Sequence, residues 1–177
     1  MSLPVVLILA SGRGERFIAS GGTTQKLYAR LGNKTVLQHT LDAVRNSGLP
    51  WHVEDAGHCG MGDSIAAAVE AVRQSTPQAS GWLILPGDLP LIRSSTLLTV
   101  ALALRGADVV VPYYRGQRGH PVGFSECCGL ELRKLKGDMG ASSVVRAHSH
   151  VELLIDDVGS VADIDTVDDL RVAEWLL

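Results

Sequence analysis

A glycine-rich loop with two arginines follows the first apolar run of the chain. The run covers residues 5–9, the loop reads Ser11-Gly12-Arg13-Gly14-Glu15-Arg16-Phe17, and Lys26 follows it. Small residues let backbone N–H groups approach an anion closely, and basic side chains neutralise its charge. The pattern predicts a phosphate-binding loop. The simpler alternative is a strand-to-helix turn with solvated charges.

Two common phosphate-binding motifs do not fit this loop. A P-loop requires G-x-x-x-x-G-K-[ST], and the sequence contains no such string. The dinucleotide motif G-x-G-x-x-G requires a glycine where Phe17 stands, and an acidic residue near the position of Gly32-Asn33-Lys34. An NAD site is therefore not predicted.

Two acidic segments could bring a metal ion to the phosphates. Asp88 follows an apolar run in Leu85-Pro86-Gly87-Asp88-Leu89-Pro90, where it could ligate Mg²⁺ or act only as a turn residue. In the second segment, Asp168 and Asp169 are expected to complement a helix dipole. Asp163 and Asp165 precede that helix, and we expect them to approach Asp88. Two carboxylates on one Mg²⁺ would lower the charge barrier to attack on a triphosphate.

Apolar runs alternate with helical patterns along the whole chain. Strands are predicted at residues 5–9, 82–85, 107–111, 121–124 and 151–155, with a weak candidate at 51–54. Helices are predicted at residues 35–46, 63–74 (capped by Asp63 or Ser64), 94–105, 126–136 and from Thr166 to the C-terminus. The nearly continuous apolar strands favour a three-layer α/β/α sandwich with a Rossmann-like, mostly parallel sheet. Ligands of such sheets bind at the carboxyl ends of the strands.

The composition is typical of a soluble globular enzyme. The 177 residues are 46 % apolar and 20 % charged with a net charge of −3, which argues against a disordered or nucleic-acid-coating protein. We expect a single domain over 1–177, in the cytoplasm, because the sequence shows neither a membrane-length apolar run nor a signal pattern. Three cysteines, two of them adjacent, point to a reducing compartment.

The three motifs, in this order, resemble the MobA-like NTP transferase family over nearly the whole chain. The loop at 9–17 resembles the family's signature loop, with Ser11 where alanine is usual. Lys26 matches the family's phosphate-binding lysine, residues 85–90 its metal-aspartate motif, and residues 163–166 its second metal motif. The resemblance implies the three-layer fold and the transfer of NMP from an NTP, with release of pyrophosphate.

Three further segments are most similar to the molybdenum-cofactor cytidylyltransferase branch of that family. They are Gly60-Met61-Gly62-Asp63-Ser64, Gly119-His120-Pro121-Val122 and Gly137-Asp138-Met139-Gly140-Ala141. This likeness implies CTP as the favoured NTP and a molybdopterin-type acceptor, with a molybdoenzyme or its maturation factor as partner. Neither a nucleic acid nor a membrane is expected as a partner.

The resemblance also implies roles for individual residues. Arg13, Lys26 and Asp88 would be catalytic, and Asp88 and Asp165 would hold Mg²⁺. The nucleotide and acceptor would be bound by Leu9, Ala10, Ser11, Gly12, Arg13, Arg16, Lys26, Gly60, Gly62, Ser64 and His120. No general base is required, because a phosphate nucleophile is already ionised at neutral pH.

Three departures from the family pattern leave alternatives open. Residues 18–24 lengthen the signature loop, segment 49–59 is short enough that the second strand is abbreviated or missing, and Val167 stands where proline is usual. Guanylyl transfer and another small phosphorylated acceptor stay open, as does a non-catalytic carrier of the pterin. Cys127 and Cys128 are interpreted as packing residues, and His148 and His150 as surface residues.

Overall fold

The computed structural model describes residues 2–177, in which a seven-stranded sheet is covered by helices on both faces. The strands are β1 (Val5–Leu9), β2 (Arg30–Leu31), β3 (Lys34–Thr35), β4 (Trp51–Glu54), β5 (Gly81–Pro86), β6 (Val109–Tyr114), β7 (Gln117–Arg118), β8 (Val122–Ser125) and β9 (His150–Leu154). The α-helices are α1 (Glu15–Ala19), α2 (Val36–Ser47), α3 (Met61–Ser75), α4 (Ser94–Ala103), α5 (Gly129–Leu132), α6 (Ser142–Ala147) and α7 (Val167–Leu176). Short 3₁₀ helices cover Lys26–Tyr28, Leu104–Gly106, Glu126–Cys128 and Val158–Ser160.

The sheet is mostly parallel, as the sequence predicts. Its strand order is β4-β1-β5-β8-β6-β7, with β9 also paired to β6. Strands β4, β1 and β5 are parallel to one another, β9 is parallel to β6, and β8 runs antiparallel to both of its neighbours. The carboxyl ends of β4, β1 and β5 therefore lie side by side at one edge.

The two faces of the sheet bury alternate residues of the same strands. Val5 and Leu7 of β1 pack with α3, α5 and α6, whereas Val6 and Ile8 pack with α2 and α4. A third cluster joins Phe17 of α1 to α2 and α7 beyond the edge of the sheet. The three-layer α/β/α arrangement is thereby confirmed.

Several local predictions need correction. The weak candidate at 51–54 is the edge strand β4, so the second strand is present but short. Helix α3 begins two residues earlier than predicted with Gly60 as its N-cap, because the Asp63 carboxylate accepts a hydrogen bond from Gly137 N–H instead of capping the helix. The helix predicted at 126–136 is only a 3₁₀ turn followed by α5, and α6 was not predicted. Thr166 does cap α7, in a capping box with Asp169. Among residues 2–177, no helix combines the length and apolarity needed to span a bilayer.

Candidate active site

A cavity of about 690 Å³ opens at the carboxyl ends of β1 and β5. The predicted site residues that line it are Leu9, Ser11, Gly12, Arg13, Arg16, Lys26, Gly60, Ser64, Asp88, His120 and Asp165. Ala10 and Gly62 lie outside this lining. Ala10 N–H donates to Glu54 O at 2.8 Å and its side chain packs on the third core cluster, and Gly62 supports a neighbouring loop.

Lys26 lies between the two predicted metal-binding carboxylates. Its Nζ donates to Asp88 Oδ2 at 2.5 Å and to Asp165 Oδ1 at 3.0 Å. The lysine and Asp88 side chains are only 13 % and 14 % exposed, so water screens this contact little. Three sequence-distant motifs thus meet at one ammonium group.

Backbone contacts fix Asp88 at the end of β5. Gly87 N–H donates to Leu9 O at 2.9 Å, and the buried Thr40 hydroxyl donates to Gly87 O at 3.0 Å. Ile164 N–H donates to Asp88 O at 3.0 Å, which brings the second acidic segment beside the first. The acidic segments are therefore held by main-chain hydrogen bonds as well as by Lys26.

The lengthened signature loop still delivers Lys26 to the carboxylates. Gly14 has φ 64°, and a Cβ there would lie 3.3 Å from Lys26 N, so glycine suits both the left-handed backbone and the close approach. Phe17 and Leu27 anchor the two ends of the loop in the third core cluster. Ser20 Oγ accepts a hydrogen bond from Val167 N–H at 2.9 Å. The extra residues thus contact the start of α7.

The N-cap of α7 orients Asp165. Asp169 Oδ2 accepts hydrogen bonds from Asp165 N–H at 3.1 Å and Thr166 N–H at 2.7 Å. Asp165 Oδ2 also forms an ion pair with Arg16 Nη1 at 2.7 Å. Arg16 and Arg13 are 78 % and 74 % exposed, and Arg13 has only a 4.0 Å contact with Glu15. Arg13 is thus free to turn towards a ligand, whereas Arg16 has to leave its ion pair with Asp165 to do so.

The electrostatics of the cavity follow from partial burial. Burial alone would lower the pKa of Lys26, but Asp88 and Asp165 outweigh it, so this pKa is raised. Burial, followed by the charges of Asp88 and Asp165, raises the pKa of Asp163. Burial lowers the pKa of His120, against the opposing effect of Asp88, and favours the neutral imidazole.

One acceptor of Asp88 has no partner among the described residues. Its Oδ1 is buried and makes no hydrogen bond, although Oδ2 is bound to Lys26. A buried carboxylate oxygen normally has a donor or a cation. The donor set of Asp88 and Asp165 therefore fits a hard cation such as Mg²⁺.

The opposite wall of the cavity is built from the start of α3 and the loop after α5. Ser11 Oγ and Ser64 Oγ are hydrogen-bonded at 2.7 Å, which joins the signature loop to α3. Gly62 N–H donates to Gly137 O at 2.8 Å, and a Cβ on Gly60 would lie 2.2 Å from the same carbonyl. The glycines of this segment therefore allow the loop to approach the helix.

The cavity also contains residues that the sequence did not single out. They are Leu27, His58, Gln117, Arg118, Ser160 and Val161. His58 Nε2 contacts Glu54 Oε1 at 3.0 Å. The sequence signal for this pair was a histidine four residues after Glu54, the last residue of strand β4. That strand was itself only weakly predicted.

Comparisons with known proteins agree with this fold. The family model of the MobA-like NTP transferase domain matches residues 6–151. Rv0371c from Mycobacterium tuberculosis H37Rv superposes with a TM-score of 0.80 at 25 % identity, covering 98 % of this chain and 99 % of that one. Its complex with manganese gives a TM-score of 0.78 at 25 % identity, with coverage of 99 % and 100 %. Molybdopterin-guanine dinucleotide biosynthesis protein A from Archaeoglobus fulgidus shares the fold, with a TM-score of 0.68 at 16 % identity and coverage of 97 % of each chain. No curated protein matches the sequence.

Proposed function

The chain belongs to the MobA-like NTP transferase family, and we propose that this nucleotidyltransferase transfers CMP from CTP to the phosphate of a molybdopterin-type acceptor. The observation that carries the proposal is the Lys26 ammonium held between Asp88 and Asp165 in the cavity. Phosphoryl chemistry on an NTP requires positive charge to bind the phosphates and negative charge to hold a metal ion. A lysine beside two carboxylates at a glycine-rich loop provides both. The proposed site of action is the cytoplasm, with delivery of the product to a molybdoenzyme or its maturation factor.

The reaction is a substitution at the α-phosphorus of CTP. An oxygen of the acceptor phosphate forms the new bond, the bond to the β-phosphate breaks, and pyrophosphate leaves. The side chains of Arg13 and Arg16 turn from the surface to contact the triphosphate, and the Lys26 ammonium donates a hydrogen bond to it. The arginines and the lysine therefore bind and orient the groups that react.

Asp88 and Asp165 are the residues that would hold the cation. Mg²⁺, when bound there, supplies positive charge that offsets the negative charge developing at phosphorus. The manganese complex of Rv0371c, a protein similar to this chain, supports a divalent cation at this site. The unpartnered Oδ1 of Asp88 supports its position in this chain.

The acceptor assignment is supported by the segments that resemble the molybdenum-cofactor branch. Residues from all three contribute to one cavity: Gly60 and Met61, His120, and Asp138. The neutral imidazole of His120 can donate a hydrogen bond to an uncharged ring or accept one from it, and it adds no charge to the cavity.

Guanylyl transfer is the second candidate. The Archaeoglobus protein that shares the fold is named for a guanine dinucleotide product. The carrier considered from the sequence is set aside, because the family is one of nucleotidyltransferases.

A panel of CTP, GTP and ATP with a phosphorylated pterin tests the proposal through pyrophosphate release. We expect CTP to be preferred and Asp88→Ala to be inactive. Preference for GTP would replace the base assignment, and preference for a sugar phosphate would overturn the acceptor assignment. Unchanged pyrophosphate release in Asp88→Ala would overturn the site itself.

A further inference from the structure

A second cluster of metal-ligating side chains lies at the opposite end of the sheet from the nucleotide cavity. It consists of Cys127, Cys128 and His148, whose ligand atoms all lie within 4.8 Å of one another. Ser125, just before the cysteines, pairs with Gly81, the first residue of β5. Asp88 follows the other end of this six-residue strand, which at about 3.3 Å per residue spans roughly 17 Å. The cluster is therefore separate from the nucleotide site.

The spacing of the three ligand atoms matches a tetrahedral zinc site. The two sulfurs are 3.9 Å apart, and Cys127 Sγ is 4.0 Å from His148 Nδ1. Zinc bonds of about 2.3 Å to sulfur and 2.0–2.1 Å to nitrogen give tetrahedral edges of roughly 3.8 Å and 3.6 Å. These two edges need shifts of only a few tenths of an ångström, whereas the third edge, from Cys128 Sγ to His148, lies within 4.8 Å and shortens by up to about 1.2 Å to complete the geometry.

The imidazole of His148 is oriented for coordination. Its Nε2 contacts Glu131 Oε2, and the ring is mostly buried. Donation of Nε2–H to the carboxylate leaves the Nδ1 lone pair directed towards Cys127. Zinc-binding histidines commonly donate their other ring N–H to a carboxylate in this way.

The surroundings of the sulfurs suit a cation. Cys127 is exposed and lines a cavity of about 990 Å³, through which an ion and a water ligand have access. Two thiolates and a neutral imidazole would balance the charge of a divalent ion.

We propose that Cys127, Cys128 and His148 bind one zinc ion, with Glu131 orienting the imidazole and water as the fourth ligand. The ion would tie the 3₁₀ turn after β8 to the residues before β9. Cys128, which is buried in the first core cluster, is thus a metal ligand as well as a packing residue, whereas Cys127 is exposed and the prediction that it packs was wrong.

Metal binding to the reduced, tag-free, chelator-treated full chain tests the proposal. Zinc is titrated in competition with a chromophoric chelator, and cobalt substitution is followed by thiolate-to-cobalt charge-transfer absorption. We expect one zinc ion per chain with this absorption present for cobalt. Cys127→Ser and His148→Ala should each weaken zinc binding at least tenfold, and Glu131→Gln by about 10- to 100-fold.

Cys59→Ser is the matched control, because it removes the other exposed cysteine of the chain and leaves the cluster intact. It should bind zinc like the unmodified protein. Equal zinc affinity in Cys127→Ser, no zinc binding at all, or cobalt binding without charge-transfer absorption would each overturn the proposal. Pyrophosphate release by Cys127→Ser should stay unchanged, which shows that this variant is folded and separates the zinc site from the proposed nucleotide site.

Discussion

The contact between Gly60 and the loop after α5 can be tested by adding one methyl group. Gly60 has φ −146° and ψ 168°, which any residue adopts, so Gly60→Ala introduces no backbone strain. Its Cβ, however, would lie 2.2 Å from Gly137 C and O and 2.7 Å from Asp138 N. These are backbone atoms, so no side-chain rotation can relieve the clash.

The required displacement sets the size of the effect. Ordinary contact begins near 3.4 Å, so the loop or the start of α3 must move by about 1.2 Å. That movement weakens the hydrogen bonds from Gly62 N–H to Gly137 O and from Gly137 N–H to Asp63 Oδ2. Complete loss would cost about 1 kcal/mol for the neutral bond and 1.5–3 kcal/mol for the charged one, so the free energy of unfolding should fall by up to about 2.5–4 kcal/mol.

The same displacement should reduce turnover. Asp138 lines the cavity beside Gly60, and a misplacement of about 1 Å can cost roughly 100-fold in rate. The assays are pyrophosphate release, resolved into kcat and KM for each substrate, and urea unfolding. Gly106→Ala is the control, because a Cβ at Gly106 meets no atom within 4 Å. Equal stability and kcat/KM in the two variants would refute the argument that this close approach shapes the site.

Three further outcomes follow from the same contacts. Lys26→Met removes a mostly buried hydrogen-bond donor, so it should lower kcat/KM for pyrophosphate release by at least 100-fold. This loss should be larger than the loss in Arg16→Ala, because Arg16 is exposed. A smaller loss than in Arg16→Ala would contradict this role of the lysine. Because burial lowers the pKa of His120, folding opposes its protonation, and the free energy of unfolding should decrease as the pH falls below 6.5. His120→Asn should show a smaller decrease in urea unfolding across the same pH range, and an identical pH profile would exclude His120 as the source. Thr35→Ala removes the capping box of α2 and should cost about 1 kcal/mol in urea unfolding, whereas an unchanged midpoint would show that Gln38 alone suffices.

The strands could be predicted from sequence better than their directions. Residues 121–124 form a continuous apolar run because β8 lies between β5 and β6 and is covered on both faces. An antiparallel strand in that position has the same pattern as a parallel one, so its direction was not available from the pattern. Strand β4 was weakly predicted for the opposite reason: it forms the edge of the sheet, and polar His52 and Glu54 are tolerated there.

The candidate site was predictable in its acidic and basic residues but not in how they pair. Asp88 and Asp165 were predicted to share a cation, and the structure brings the Lys26 ammonium to both of them. That contact depends on the path of residues 18–24, which no periodicity specifies. The hydrogen bond from Val167 N–H to Ser20 fixes the path, and it joins positions that lie far apart in sequence. Long-range backbone contacts of this kind leave no local pattern.

Lys26 is mostly buried whereas Arg13 and Arg16 are exposed. This difference explains why Lys26 should contribute most to catalysis among the basic residues of the cavity. Its side chain is 13 % exposed and its ammonium is held by two carboxylates, so it keeps one position and would need little reorganisation when a triphosphate binds. Arg13 and Arg16 are largely exposed, and each must lose side-chain freedom to bind phosphate. Water screens the arginines until the ligand covers them, whereas Lys26 acts in a less polar environment from the start. In the proposed reaction the acidic centre would therefore supply a fixed charge pattern, and the signature loop would supply cations that adapt to the nucleotide.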